Sequence, residues 1–220
     1  EPEGNAMGHV VKELPWCVID IDTTEGRIFL QERWKYTWMV QPPLSDWTLE
    51  EKRNFHNRAD RNIWAAWSNR ARFNVSGTAA FARRFSARGV PINLDIRWVT
   101  ANEHWNVTVW KIPANQLRIS NVNWNARTIE LDTNDFNTRE FNHSPGNTTR
   151  QVPVAHEFGH AIGNTAVLNR GDEYKNTSPH ANDHGSILHS GNQLRDRHFT
   201  TIIDAMNTMI PNCTFSVRSL

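Results

Sequence analysis

Apolar positions along this chain keep two different rhythms. Over residues 16–22 (WCVIDID) and 27–33 (RIFLQER) they alternate with polar ones, the period of a strand with one buried face. Thr23-Thr24-Glu25-Gly26 between these runs is turn chemistry, so a hairpin is expected. Pro42-Pro43 ends the extended region. The period then lengthens. Thr48 and Glu51 form a capping box, and Leu49, Phe55, Ala59, Ile63, Trp64 and Trp67 recur at helical spacing. A long amphipathic helix is expected from residue 49 to about residue 70, with core packing as its role.

A weaker helix is expected over residues 78–87, before Gly89. Residues 92–99 (INLDIRWV) and 105–112 (WNVTVWKI) return to the strand period, and 117–119 and 128–132 (TIELD) are shorter candidates. Asn and Gly crowd residues 134–147, which read as a surface loop. A helix follows over residues 151–163, then a polar, loop-like stretch over 165–193. A last helix over 195–209 buries Phe199, Ile202, Ile203, Met206 and Met209. The order is that of an α+β domain with a mixed sheet. Residues 1–15 are expected as a flexible leader and residues 16–220 as a single domain.

With 220 residues the chain can bury one good core and is short for two average domains. A formal net charge of +1 gives no global pull toward nucleic acid or acidic membranes, and no basic cluster with interleaved aromatics stands out. No apolar run reaches the roughly 20 residues of a membrane span. The N-terminus lacks the apolar core of a signal peptide, as a processed form would. The expectation is a protein secreted or delivered outside the producing cell, with a cytoplasmic location left open. Cys17 and Cys213 either pair or stand as two buried thiols. Ten tryptophans point first to an aromatic-rich core and second to an aromatic substrate surface.

The chemistry is concentrated in VAHEFGHAIG, residues 154–163. On a helix, His156 and His160 lie about 40° apart in projection and one turn apart in height, so both imidazoles can reach one ion. Glu157 sits about 100° around from His156, beside such an ion, where a carboxylate can serve as general base. Gly159 keeps the helix slim between the two ligands, and Gly163 offers a stop. Six of the ten histidines fall between positions 156 and 198, which supports a metal site there.

With these residues the sequence resembles the zincin metallopeptidases, and more narrowly the metzincin side, where HExxHxxG leads to a third ligand. His156, Glu157, His160 and Gly163 match that pattern, and Ala166 stands where the short spacing would place the ligand. Some zincins, among them the immune-inhibitor-A-like and IgA-peptidase-like groups, continue to DEY, and this chain contains Asp172-Glu173-Tyr174. The resemblance implies a six-residue insertion within residues 164–171 that delivers Asp172 to the metal. Glu173, His180, His184 and His189 are the rival third ligands. Ser186-Ile187-Leu188 is similar to the SIM of the Met-turn, with leucine in place of methionine.

Several expectations follow from the resemblance. The fold is a zincin-like domain that holds Zn2+ through His156, His160 and Asp172. It hydrolyses bonds of a protein or peptide substrate, with Glu157 as base and Tyr174 as a donor to the oxyanion. Arg195, Arg197 and His198 are expected as structural or rim contacts. Residues 94–99 are expected as the strand against which an extended substrate lies. Two other readings stand beside this one: a non-catalytic zinc-binding recognition or toxin-accessory domain, whose site would be closed by a fourth protein ligand, and a hydrolase of non-peptide amides.

Overall fold

The computed structural model describes residues 8–220 and is α+β, with one large mixed sheet. Strands β1 (His9–Glu13), β2 (Val18–Asp22) and β3 (Arg27–Val40) form an antiparallel meander. The turn between β2 and β3 is fixed by Asp22, whose carboxylate accepts the amides of Thr24 and Glu25, both at 2.9 Å. Gly26 completes it at a φ of +70°, and a Cβ there would lie 2.2 Å from the Phe85 ring. Most of the expected leader is therefore in the fold, since β1 falls inside residues 1–15. Residues 1–7 of that leader lie outside the described residues.

Helix α1 (Leu49–Trp67) carries the expected capping box: the Glu51 amide donates to Thr48 Oγ1 at 3.1 Å, and the Thr48 amide to Glu51 Oε2 at 2.7 Å. Its buried stripe is Phe55, Ala59, Ile63 and Trp67, one residue per turn. Then come β4 (Arg72–Gly77), α2 (Ala80–Phe85), β5 (Val90–Trp98), β6 (Trp105–Lys111), β7 (Asn121–Asn123) and β8 (Thr128–Asp132). Leu117 and Ile119, expected in a strand, are 77% and 85% exposed, and the strand lies just after them as β7.

The sheet core is parallel, in the order β5-β3-β6-β8, with β7 antiparallel on the β8 edge and β4 antiparallel on the other side. Beyond β4 lies β11 (Cys213–Ser219), pairing Phe215 with Val75. The 14 residues of β3 bridge this arrangement, pairing with β2 over the first half and with β6 over the second. Residues 134–147, expected as a loop, lead instead into a hairpin of β9 (Arg139–Ser144) and β10 (Asn147–Gln151). Helix α3, which carries the HExxH motif, spans Pro153–Ala161. The expected last helix divides into a 3-10 turn (Asp196–Phe199) and the short α4 (Thr200–Met206), after which the chain turns into β11. Trp16, Trp34, Trp67, Trp105 and Trp124 are buried in the core, and Cys17 and Cys213 are buried free thiols.

Helix α1 also closes part of a sheet edge. Past Pro91, β5 has no strand on its outer side, and Ser68 at the end of α1 takes that place. Its hydroxyl donates to the Leu94 carbonyl at 2.6 Å and accepts the Leu94 amide at 2.7 Å. Asp60 of the same helix stands beside the Ile96 amide, two residues further along the strand. This edge therefore has no room for an added strand, and the expectation that residues 94–99 receive a substrate is corrected. The free edge of the parallel core's other side belongs to β7. Ser68→Ala leaves a buried amide and carbonyl without partners and should cost about 1–3 kcal/mol. Urea unfolding would show it as a lower midpoint at unchanged slope; an unmoved midpoint would refute the role given to Ser68.

Candidate metal centre

Helix α3 starts with Pro153 at its first turn, where no amide partner is needed, and nearly all of its residues are buried. His156 and His160 project from one side. Their Nε2 atoms are 3.1 Å apart, and Asp172 Oδ1 lies 3.1 Å from His160 Nε2 and 3.5 Å from His156 Nε2. Each imidazole is fixed from behind: His156 Nδ1 meets the Ile187 carbonyl at 2.7 Å and His160 Nδ1 the Asn164 carbonyl at 2.5 Å. A carbonyl oxygen only accepts, which favours Nδ1–H on both rings. Gln151 Nε2 also lies 3.0 Å from His156 Nδ1 but has its two hydrogens for the Ile187 and His189 carbonyls, so both Nε2 lone pairs face inward.

Two lone pairs and a carboxylate oxygen thus converge with no proton assigned among them. Such a trio repels itself unless a cation lies between. For bonds of about 2.0–2.1 Å, the edge of a ligand tetrahedron is about 3.3–3.4 Å, close to the three separations found. The donor set fits a divalent cation. A proton on His160 is the other way to relieve the trio: burial opposes it, but Asp172 and Glu157 outweigh burial and raise that imidazole's pKa. Burial works against ionisation of Asp172; when His156 and His160 carry protons on Nε2, their hydrogen bonds and charge hold its carboxyl far below the ordinary range.

The loop after α3 explains how Asp172 arrives. Gly163 turns the chain at a φ of +104°, a 3-10 turn spans Ala166–Leu168, and Asn169 is left-handed. The Leu168 and Arg170 amides both donate to the Thr165 carbonyl, at 3.0 and 2.9 Å, so the loop closes on its own base. Gly171 then passes so near that a Cβ would lie 3.1 Å from the Ala166 nitrogen. The next residue is Asp172.

The rival ligands lie elsewhere. Glu173 turns away and receives Arg197 Nε at 2.7 Å and Nη2 at 2.8 Å. Burial resists its ionisation, but Arg197 and then His198 hold its pKa far below the usual range. Arg197 and Arg195 also share Asp183, so these arginines are structural, as is His198, which contacts Ser186 and Glu173. His184 stacks on His143 with centroids 3.8 Å apart. His189 bonds Ser190 and the Ala181 carbonyl. His180 lines a cavity beyond Asp172. Among the described residues, only His156, His160 and Asp172 gather as a metal-binding group.

Ser186-Ile187-Leu188 passes beneath the helix. Leu188 fills the notch at Gly159, where a Cβ would lie 2.7 Å from Leu188 Cδ2 and 3.0 Å from Trp67 Cζ2. Two positions that sequence reading missed hold this arrangement. Gln151 Nε2 donates to the His189 and Ile187 carbonyls at 2.8 and 3.2 Å, fixing the turn that orients His156. Asn164 Nδ2 donates to the Gly159 and His198 carbonyls, fixing the carbonyl that orients His160. Amide side chains in no recognised motif leave no sequence signal for such roles.

A cleft of about 280 Å³ opens over the donors. Glu157, 7% exposed, lines it, with burial raising its pKa against the opposing pull of His156 and His160. Tyr174 lies at its mouth, 52% exposed, its phenol pushed up to about 12 by burial and by Asp172. Residues Asn121 and Val122 of β7 form the facing wall.

Asp172→Asn should weaken divalent-metal binding by more than about 100-fold, whereas Glu173→Gln should stay within the roughly 10–100-fold of a supporting group. Competition against a chromophoric chelator measures both, and the reverse order would overturn the assignment of Asp172.

Compared with known proteins, the chain matches no family model, no curated protein and no solved structure.

Proposed function

We propose that this protein is a zinc-dependent endopeptidase of the zincin type. The observation that carries the reading is the convergence of His156 Nε2, His160 Nε2 and Asp172 Oδ1, with the Glu157 carboxylate lining the same cleft. His156, His160 and Asp172 would hold the zinc ion, whose Lewis acidity acts on water and on a scissile carbonyl. Three protein donors leave a coordination position for that chemistry.

Glu157 takes a proton from the attacking water and returns it to the departing amine nitrogen. Its burial favours this role, because a carboxylate poorly solvated by water binds a proton more readily in transit. The Tyr174 phenol donates a hydrogen bond to the developing oxyanion; its position on the cleft and its pKa, raised to about 12, support this role. The free edge of β7 supplies the ladder for an extended peptide, since β7 pairs only with β8 and its residues wall the cleft.

The non-catalytic alternative calls for a fourth protein ligand. His180, His184 and His189 are the histidines that follow Asp172 most closely, and none of them joins the donor group. This favours the enzyme. No described helix is long and apolar enough to cross a membrane, and no membrane substrate is invoked.

Glu157→Gln separates the two roles of the motif. Metal content should remain that of the parent, while peptide hydrolysis falls by about 10²–10⁴-fold, the range expected for losing a general base. Metal analysis and a quenched-fluorescence peptide library read the two quantities. Undiminished cleavage by this variant would remove Glu157 from the mechanism.

A further inference from the structure

Behind Asp172, on the side away from β7, lies a second cavity of about 420 Å³. It shares Ala166, Gly171, Asp172 and Lys175 with the cleft, so a substrate held over the donors has this space next to it. Its charges do not balance. Glu173 is fully engaged by Arg197, which also bonds Asp183. Asp172 belongs to the donor group. That leaves Arg170 and Lys175.

Arg170 makes one side-chain hydrogen bond, from Nη2 to the neutral hydroxyl of Thr201 at 3.0 Å, and its Nε is buried without a partner. It has no carboxylate partner among the described residues. Lys175 reaches a single anion, Asp172 Oδ2 at 3.4 Å, whose charge a bound cation would already claim. A guanidinium held by one neutral hydroxyl and a lysine with a borrowed partner, both lining the cavity, are the complement of a carboxylate.

We infer that this cavity binds a carboxylate of the substrate next to the scissile bond, through Arg170 and Lys175. Arg170 lies in the loop over residues 165–170, which closes on Thr165 and displaces the third ligand from position 166 to Asp172. The loop therefore places the ligand and selects the substrate. The carboxylate comes from an aspartate or glutamate side chain, as an internal site supplies, or from the peptide C-terminus, in which case the peptidase acts on chain ends. This inference rests on the peptidase reading for its substrate, but the cavity can be tested apart from it.

Two measurements on the metal-loaded protein decide the matter. The first compares kcat/KM for peptides differing only as Glu against Gln beside the cleaved bond, and as free against amidated C-terminus. One of these pairs should favour the acid by about tenfold to a hundredfold, as charge-assisted hydrogen bonds do. The Arg170→Gln, Lys175→Gln double variant should lose that ratio. The second follows the Arg170 Nε–H resonance of the unsubstituted protein during titration with N-acetylglutamate N-methylamide, its glutamine counterpart and acetyl-peptide acids. The resonance should move with the carboxylates alone.

Cleavage with no preference for either acid overturns the inference and leaves the peptidase reading standing. No cleavage of any peptide, with a carboxylate-specific shift at Arg170, keeps the cavity and removes the peptidase reading. No cleavage and no shift removes both. Which pair carries the preference distinguishes a side chain from a chain terminus.

Discussion

Three hydrogen-bond acceptors aimed at one point, with their protons committed elsewhere, form the constraint around which this fold is arranged. His156 Nε2, His160 Nε2 and Asp172 Oδ1 stand 3.1–3.5 Å apart because the Ile187 and Asn164 carbonyls claim the Nδ1 protons. Left to itself the trio would rotate its rings or take up a proton. Burial on α3 limits ring rotation and opposes the proton, which Asp172 and Glu157 nonetheless favour on His160. A cation binding there gains the repulsion the fold has already tolerated, and so metal affinity and folding free energy are linked at this site.

Holding such a trio takes support from distant parts of the chain. Trp67 at the end of α1 donates from Nε1 to the Ala155 carbonyl at 2.9 Å, tying the long helix to the short one. Gln151 at the end of β10 pins the turn beneath His156, and Asn164 joins α3 to the carbonyl of His198. The Glu173–Arg197–Asp183–Arg195 chain locks that turn from its far side. Each buried polar group here is matched by another, which makes the floor of the site stiff, since one missing partner costs more than one bond gains. Only the roof, between β7 and the loop bearing Asp172, is left open.

The parts of this arrangement that were legible in sequence are those set by local rules. The capping box of α1, the alternation of β8 and the i, i+4 histidines of α3 each specify themselves within one element. Asp172 was legible through the spacing and chemistry of GDEY, though only the folded loop excludes Glu173, whose neighbour Arg197 is 24 residues away. What escaped depends on pairing. β4, β10 and β11 fall where no strand was expected, and β9 within an expected loop, because each becomes a strand by finding a partner. For the same reason β5 looked like a substrate strand. Nothing in INLDIRW announces that Ser68 and Asp60, a helix away, occupy its edge. The histidine crowd after Asp172 was ambiguous because an imidazole serves as ligand, stack or hydrogen-bonding filler equally well, and His184 and His189 became the latter two.

The long turn after Gly163 has a thermodynamic logic of its own. Extending a loop by a few residues adds little closure entropy, of order 1 kcal/mol or less, and the bonds from Leu168 and Arg170 to Thr165 recover part of it. In exchange the ligand changes character. Asp172 brings a negative charge to two neutral imidazoles, so a divalent cation there would keep one net positive charge, which the nearby Glu157 carboxylate offsets. A buried site balanced in this way avoids the large cost of an uncompensated charge. The same balance leaves nothing over for Lys175 and Arg170 on the outer side of the loop. Neutrality at a bound cation and positive charge beside it would be two faces of one segment, since the loop that brings Asp172 to the donors also walls the neighbouring cavity.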